Sequence, residues 1–353
     1  MRICHATDAT DASYGGLYTA TQGLMAALAH APGVESVMLA GRDPDWREAD
    51  LCHSHGMWSR SAWITLGWRL RNRKPLIVAP HGMLDEWALR NRAIAKRLAL
   101  ASYEGLRLRK AVCIHALCEA EAASVRRLRL AAPTFVIPNG VQMPSDDELK
   151  TYGAPAREAR HKILLYLGRI HPKKGIDLVL RALAALTARD RRYRDEWRLK
   201  VCGPGERQYV DDLVRMAHEL GISGMVEFAD PVGGEQKKEA LGSASAFVLT
   251  SHSEGLPMSV LEAWAYGLPS LISHECNLSR PAADGAAMLT STSLDEITAR
   301  LGELLTLDDR DRARMGSRAR EHVRRAHHWD RVRDRMMDVY RWALGGGPRP
   351  EPS

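Results

Sequence analysis

Short apolar runs alternate with longer amphipathic stretches along nearly the whole chain. Runs at 2–6, 34–40, 51–53, 76–79, 111–116 and 134–137 have strand length, and helix-like stretches such as 16–30 and 119–130 lie between them. This β-α-β-α rhythm predicts parallel sheets covered by helices. The rhythm breaks at Pro138-Asn139-Gly140-Val141, and a polar stretch covers 144–160. It then restarts with runs at 162–167, 198–202, 225–228, 246–250 and 270–273. The expected fold class is α/β, with two doubly wound, Rossmann-like domains at 1–145 and 146–328. A helical stretch spans 308–344, with Trp329, Val332, Met336, Val339, Tyr340 and Ala343 at roughly helical spacing. The tail 345–353, GGGPRPEPS, lacks apolar content and is expected to be disordered.

Composition adds limits. The 353 residues are 45% hydrophobic and 26% charged, as in an ordinary soluble globular protein. No run approaches the ~20 apolar residues that a membrane-spanning helix needs. The start, Met1-Arg2-Ile3-Cys4-His5, has no apolar run behind it, so no signal peptide is expected. None of the six cysteines forms a Cys-x-x-Cys pair and four sit inside apolar runs, which fits reduced, buried thiols in a cytoplasmic protein. Charge is uneven: residues 1–59 carry 3 basic and 7 acidic side chains, residues 60–140 carry 15 and 5. A basic segment of this kind is either a solvated surface or a face for an anionic partner.

Ligands of open α/β sheets bind beyond the carboxyl ends of the strands, so those ends carry the candidate chemistry. The run at 51–53 leads into His53-Ser54-His55-Gly56, 76–79 into Pro80-His81-Gly82, and 111–114 into His115. Three strands delivering imidazoles to one rim would make a polar cleft. Their spacing lacks a third ligand at metal-site separation, so no metal is expected. In the second half, the first strand ends at Gly168-Arg169, followed by His171-Pro172-Lys173-Lys174-Gly175 and a helix from Ile176. Arg169 and Lys174 therefore stand near a helix N-terminus, where a diphosphate would satisfy both the cations and the dipole. Gly203-Pro204-Gly205-Glu206 forms a second strand-to-helix turn, a weak signal alone. The third junction holds Glu254-Gly255-Leu256-Pro257-Met258-Ser259 and, about one helical turn inside, Glu262. Pro257 suits a first helical turn, while Gly267 and Pro269 supply the stop. Two carboxylates there either compensate the dipole or accept hydroxyl pairs of a sugar nucleotide.

The paired Glu254 and Glu262, separated by seven residues, resemble the signature of the family-four retaining glycosyltransferases, which have the GT-B fold. Gly15-Gly16, Pro80-His81-Gly82, Pro138-Asn139-Gly140-Val141, Gly168-Arg169…Lys174-Gly175 and Gly203-Pro204-Gly205-Glu206 follow in the order of that family. The resemblance implies two domains facing across a cleft, acceptor-binding first and donor-binding second. It also implies a helix at 329–344 that returns to the first domain. By the same resemblance Glu262 binds the donor ribose, Glu254 the transferred sugar, and Arg169 and Lys174 the diphosphate. Gly15, Gly16, Gly203, Gly255, Leu256, Pro257, Met258 and Ser259 line the donor site, and His81 lines the reaction centre. The segment from His81 to Arg90, and that from His115 to Glu121, look like bacterial enzymes that build surface polysaccharides. Ala229 stands where relatives commonly carry Gly.

The implied reaction moves a sugar from a nucleotide diphosphate donor to a saccharide acceptor with retention, without metal or other cofactor. Asp43-Pro44-Asp45 and Asp309-Arg310-Asp311 match the Asp-x-Asp of metal-dependent transferases, but neither follows a central apolar strand. A sugar-nucleotide epimerase of the same fold is the main alternative. A non-catalytic partner subunit is disfavoured by the intact site motifs, and a nicotinamide oxidoreductase by the lack of Gly-x-Gly-x-x-Gly. The basic segment, with Arg90, Arg92, Lys96, Arg97, Arg107, Arg109 and Lys110 among Trp87, Leu89, Ile94, Leu98, Leu100, Leu106 and Leu108, fits docking on an anionic membrane face. A lipid-linked glycan would be presented there, at the inner face of the cytoplasmic membrane. No recognised module supports nucleic-acid binding.

Overall fold

The computed structural model describes residues 1–11, 14–39, 45–90, 92–158 and 160–351. The chain divides into two compact units, residues 1–140 with 327–353, and residues 141–326. Each is built on one six-stranded, wholly parallel sheet. In the first unit the strands are β1 (Arg2–Ala6), β2 (Glu35–Met38), β3 (Leu51–His55), β4 (Leu76–Ala79), β5 (Cys113–Ala116) and β6 (Thr134–Val136). Their spatial order is β2-β1-β3-β4-β5-β6, so the order reverses between β1 and β3. In the second unit they are β7 (Lys162–Leu167), β8 (Trp197–Cys202), β9 (Val226–Ala229), β10 (Ala246–Leu249), β11 (Ser270–Ser273) and β12 (Met288–Thr290). Their order, β12-β11-β10-β7-β8-β9, reverses between β7 and β10. Such a reversal opens the crevice in which doubly wound sheets take ligands.

Successive residues of one strand point to opposite faces, and in the first unit both faces are apolar. Ile3, Leu51, Ile77 and Cys113 join one core; their neighbours Cys4, Cys52, Val78 and Ile114 join the other. The first core is completed by Val332, Met336, Met337, Val339 and Tyr340 of helix Trp329–Ala343. Trp329 lies flat against two glycines: a Cβ on Gly23 would stand 2.1 Å from its ring, and one on Gly140 2.3 Å. The Asn139 carbonyl accepts a hydrogen bond from His327 Nδ1 at 3.0 Å, which ties the chain break at 138–141 to the start of this helix.

Several elements depart from the expectations. The polar stretch 144–160 is mostly helix, Asp146–Glu158. A capping box starts it: the Glu148 amide donates to Ser145 Oγ at 3.1 Å, and the Ser145 amide to the Glu148 carboxylate at 2.8 Å. The helical stretch 308–344 is two helices, Asp309–Ala326 and Trp329–Ala343, which belong to different units. His328 caps the second by accepting from the Asp330 amide. The tail does not begin free, since the Gly345 and Gly346 amides donate to the Trp342 and Arg341 carbonyls. The run at 34–40 is strand over Glu35–Met38, and its last residue, Ala40, lies outside the described residues, as does Asp43 of the first Asp-x-Asp match. Asp309 and Asp311 of the second match sit in the exposed first turn of a helix, Asp311 paired with Arg314. All six cysteines are buried and none is in a disulfide. No helix among the described residues is long and apolar enough to cross a membrane.

Candidate active site

In the second unit the loops after β7 and β10 flank the reversal in strand order, and they hold the strongest sequence candidates. After β7 the chain makes a short turn, Pro172–Lys174, whose Lys173 amide is accepted by the His171 side chain. Gly175 follows in the left-handed region, φ 66°, and begins helix Ile176–Arg189. A Cβ on Gly175 would stand 2.4 Å from the Thr250 carbonyl, so the turn can pack this closely on β10 only with glycine. Thr250 Oγ1 donates to the Gly175 carbonyl, and the His252 amide to the Lys173 carbonyl at 2.8 Å. The two loops are thereby fixed to each other.

Across this junction Lys174 Nζ donates to Glu254 Oε1 at 2.5 Å, and Ser251 Oγ to the same oxygen at 2.6 Å. Burial alone would raise the Glu254 pKa. The positive charges of Lys174 and Lys173, with hydrogen bonds from Lys174 and Ser251, outweigh it and hold the carboxyl below its ordinary value. Glu254 is therefore an ionised, buried acceptor. Asn277, itself at φ 60°, donates from Nδ2 to the carbonyls of Glu254 and Gly255 at 2.7 and 2.9 Å. That holds the loop from behind.

Helix Met258–Ala265 begins just beyond, with Pro257 as its N-cap rather than its first residue. Leu256, Pro257 and Met258 are buried, while Gly255 and Ser259 are partly exposed. Glu262 is partly exposed and pairs with Lys237 Nζ at 2.8 Å. At the end of β8, a Cβ on Gly203 would stand 1.9 Å from the Gly168 carbonyl. Only glycine permits the ends of β7 and β8 to meet so closely. Arg169 stays exposed, and its carbonyl accepts from Tyr166 Oη at 2.7 Å. Of the four residues expected to act in catalysis, the structure joins Lys174 and Glu254. It leaves Arg169 outside that pair, and His81 belongs to the other unit.

In the first unit Gly15, at φ 59°, is the N-cap of helix Gly16–Leu28, whose first turn has no acidic residue. His81 sits just after β4 with φ 54°, followed by Gly82 at φ 74°. Glu121 clamps this turn, because its carboxylate accepts from the Gly82 amide at 2.6 Å and the Leu117 amide at 2.7 Å. Burial pushes the Glu121 carboxyl up to about 7 against those two bonds.

Of the histidines expected to form a rim, His81 follows β4, but His53, His55 and His115 lie inside the sheet. β3 continues to His55, so His53 and His55 are strand residues, both buried, as are His5 and His115. Only His81 is half-buried. They form two hydrogen-bonded lines. His5 Nδ1 meets His55 Nε2 at 3.1 Å, and His55 Nδ1 meets His81 Nε2 at 3.1 Å. In the second line Tyr340 Oη meets His53 Nδ1 at 2.8 Å, His53 Nε2 meets His115 Nδ1 at 3.2 Å, and His115 Nε2 meets the Ile137 carbonyl at 2.7 Å. Burial lowers all five pKa values, those of His5 and His81 to about 3 and that of His115 to about 4. His5, His53 and His55 bring one nitrogen each within 4.8 Å of one another. Both nitrogens of His53 and His55 are nevertheless spent on other partners, and only His5 Nε2 is left unpartnered.

Sequence reading missed Ser251 and Asn277; it placed Tyr340 only by the spacing of the last helix and Glu121 only at the end of a resembling segment. The role of each comes from contacts made only in the folded chain. Arg107, expected at the basic surface, is instead buried in an ion pair with Glu104 at 2.7 Å.

Known proteins bear on this arrangement. The family model described as "Glycosyl transferase 4-like domain" matches residues 14–140, and "Glycosyl transferases group 1" matches residues 153–322. A D-inositol 3-phosphate glycosyltransferase of Saccharomonospora viridis is 29% identical over 84% of this chain and 70% of its own. Further relatives of that name, from Gordonia bronchialis and Nocardiopsis dassonvillei, are matched over 66% and 49% of their length, so the chain spans between about half and seven-tenths of these relatives. Among solved structures, sucrose-phosphate synthase of Thermosynechococcus elongatus superposes with a TM-score of 0.79 at 21% identity, covering 98% of this chain and 100% of that one. Anabaena HepE in complex with UDP-glucose superposes with 0.77 at 16%, covering 96% and 99%. The two domain models in sequence order, on two doubly wound sheets, identify the chain as a member of the family-four glycosyltransferases with the GT-B fold.

Proposed function

We propose that this glycosyltransferase moves a sugar from a nucleoside diphosphate donor to a saccharide acceptor, with retention and without a metal ion. The observation that carries the donor reading is the fixed pair of loops at the reversal of the second sheet, with Lys174 and Glu254 joined at 2.5 Å beside the start of helix Met258–Ala265. Breaking the anomeric bond places negative charge on the departing diphosphate. Lys174, Arg169 and the amides of Met258 and Ser259 at the start of helix Met258–Ala265 stabilise that charge. Glu254, ionised and acceptor-only, binds hydroxyls of the transferred sugar, and Glu262 binds the ribose after giving up part of its contact with Lys237. In the second unit Gly203 contributes backbone to the donor; in the first, Gly15 and Gly16 contribute backbone, and His81 a side chain, to bound substrate. The leaving phosphate takes the acceptor's proton on the same face, which preserves configuration. The UDP-glucose complex of HepE supports a sugar-nucleotide donor. Donor binding measured by calorimetry in chelator tests this site: Glu262→Ala should weaken it about 10- to 100-fold, the cost of charge-assisted hydrogen bonds. Equal affinity in both proteins would remove Glu262 from the site.

The acceptor is proposed to be a lipid-linked saccharide at an anionic membrane. Helix Ala93–Ala101 has no buried residue, and Ile94 and Leu98 are 77% and 65% exposed beside Arg92, Lys96 and Arg97. An exposed apolar pair among cations fits peripheral docking on anionic lipid. Vesicle flotation should show binding to anionic but not neutral vesicles, lost on Ile94→Asp with Leu98→Asp. Binding that ignores lipid charge would reject it. A second reading, a soluble phosphorylated cyclitol acceptor, is favoured by the relatives named D-inositol 3-phosphate glycosyltransferase. Transfer to such an acceptor without vesicles would decide for it.

A further inference from the structure

The line His5–His55–His81 has a property that its members do not have singly. A neutral imidazole carries one N–H, so each bond between two rings needs a donor on one side and a bare nitrogen on the other. With Nδ1 of one ring facing Nε2 of the next throughout, all three rings must hold the same tautomer. Either all are protonated at Nδ1, or all are protonated at Nε2. His81 Nδ1, at the outer end, is then a donor in the first case and an acceptor in the second.

One observation selects the first, and the proposed contact with substrate agrees with it. At the inner end His5 Nε2 is fully buried and has no partner. The Nε2-protonated set would leave an orphaned N–H there, and buried N–H groups without acceptors are the rarer defect in proteins. At the outer end His81 is the half-buried member, and its turn is clamped by Glu121 through the Gly82 amide. The oxygens of a sugar or diphosphate that would meet it are best held by a donor.

We propose that His55, backed by His5, is a positioning residue that fixes His81 as a neutral imidazole with Nδ1–H turned to the substrate. The proposal rests on the reading that His81 meets bound substrate. His81 then acts as a hydrogen-bond donor to substrate oxygen and not as a general base. Proton transfer falls to the substrate's own phosphate.

The neighbouring line supplies an internal reference. The Ile137 carbonyl can only accept, so His115 is protonated at Nε2 and its Nδ1 is bare. His53 must then donate from Nε2, and Tyr340 donates its hydroxyl to His53 Nδ1. The two lines, side by side, hold opposite tautomers.

Nitrogen NMR of ¹⁵N-histidine-labelled wild-type protein reads these states directly, because protonated and bare ring nitrogens resonate far apart. Nδ1–H is expected on His5, His55 and His81, with Nε2–H on His53 and His115. Nε2–H on any of the first three overturns the proposal. Turnover gives the second readout. His55→Leu should lower kcat about 10- to 100-fold, in the range set by misplacing a catalytic group, with the donor KM little changed. His55→Asn, which returns an amide near the Nδ1 position, should recover part of it. The double variant His55→Leu with His81→Ala should be no slower than His81→Ala alone, because His55 acts through His81. Multiplying losses would make His55 merely structural and overturn the proposal. If His81→Ala turns over as fast as wild type, the reading that His81 meets substrate fails with it, whatever tautomers the spectrum shows.

Discussion

Lowering the pH from about 7.5 to about 5 should unfold the first unit while the second persists, because buried neutral histidines bind protons only when the chain unfolds. His5, His53, His55 and His115 are buried, and burial depresses each pKa from the ordinary 6.5, to about 3 for His5 and about 4 for His115. For a histidine whose folded pKa is depressed, stability is intact above 6.5 and falls as pH drops, since the unfolded state then holds the extra proton. At pH 5 His5, His81 and His115, with folded values of about 3, 3 and 4, cost about 2 kcal/mol each and about 6 together, and His53 and His55 add to the loss in the same direction. Glu121 runs the other way. Its carboxyl is raised from 4.5 to about 7, so the folded state takes up that proton first as pH falls through the window. It returns about 2 kcal/mol between pH 7 and pH 5. Set against Glu121, those three alone leave a net loss of about 4 kcal/mol, which His53 and His55 enlarge, against the ~5–15 kcal/mol that holds a typical domain folded. No histidine cluster of this kind occurs among the described residues of the second unit. Hydrogen exchange followed by mass spectrometry at both pH values separates the units: peptides from β3 and β5 should lose protection at pH 5, while those from β7 and β10 keep it. His5→Leu should reduce the slope of stability against pH by about one proton, or 1.36 kcal/mol per pH unit. Unchanged protection in β3 at pH 5, or equal loss in both units, would refute the reasoning.

Lys174→Ala should lower kcat by about 10²- to 10³-fold through loss of one stabilising contact to the leaving group, measured by nucleotide release at saturating donor. Arg107→Leu should destabilise the first unit by about 3–5 kcal/mol in urea unfolding, because it strands the buried Glu104 carboxylate. Replacing Glu104 by Leu as well should restore part of that loss. Gly140→Val should cost about 1–3 kcal/mol through overpacking against Trp329, seen as a lower Tm.

The parallel sheets were legible because their strands, buried on both faces, appear in sequence as uninterrupted apolar runs. The donor-side junctions were legible for a related reason: strand ends must carry turn chemistry, and Gly168, Gly175 and Gly203 mark where backbones approach closely. Contacts made only in three dimensions were not. His53 and His55 looked like rim groups because polar residues after an apolar run usually end a strand. His5 and His81 satisfy the nitrogens of His55, and His115 and the Tyr340 hydroxyl those of His53, inside the sheet. Helix Asp146–Glu158 was hidden by its polar composition, although Ser145 and Glu148 held the spacing of a capping box. Arg107 looked like surface charge, since nothing local distinguishes a buried arginine whose partner lies one helical turn away at Glu104.

Incubation with a panel of UDP-, GDP- and ADP-sugars in excess chelator, with nucleoside diphosphate release and anomeric configuration followed by NMR, tests the central claim most directly. Turnover of one donor without metal, retention in the product and loss of release on Glu262→Ala are the predicted results. Release only after a divalent cation is added, inversion at the anomeric carbon, or an epimerised sugar nucleotide in place of free diphosphate would contradict it.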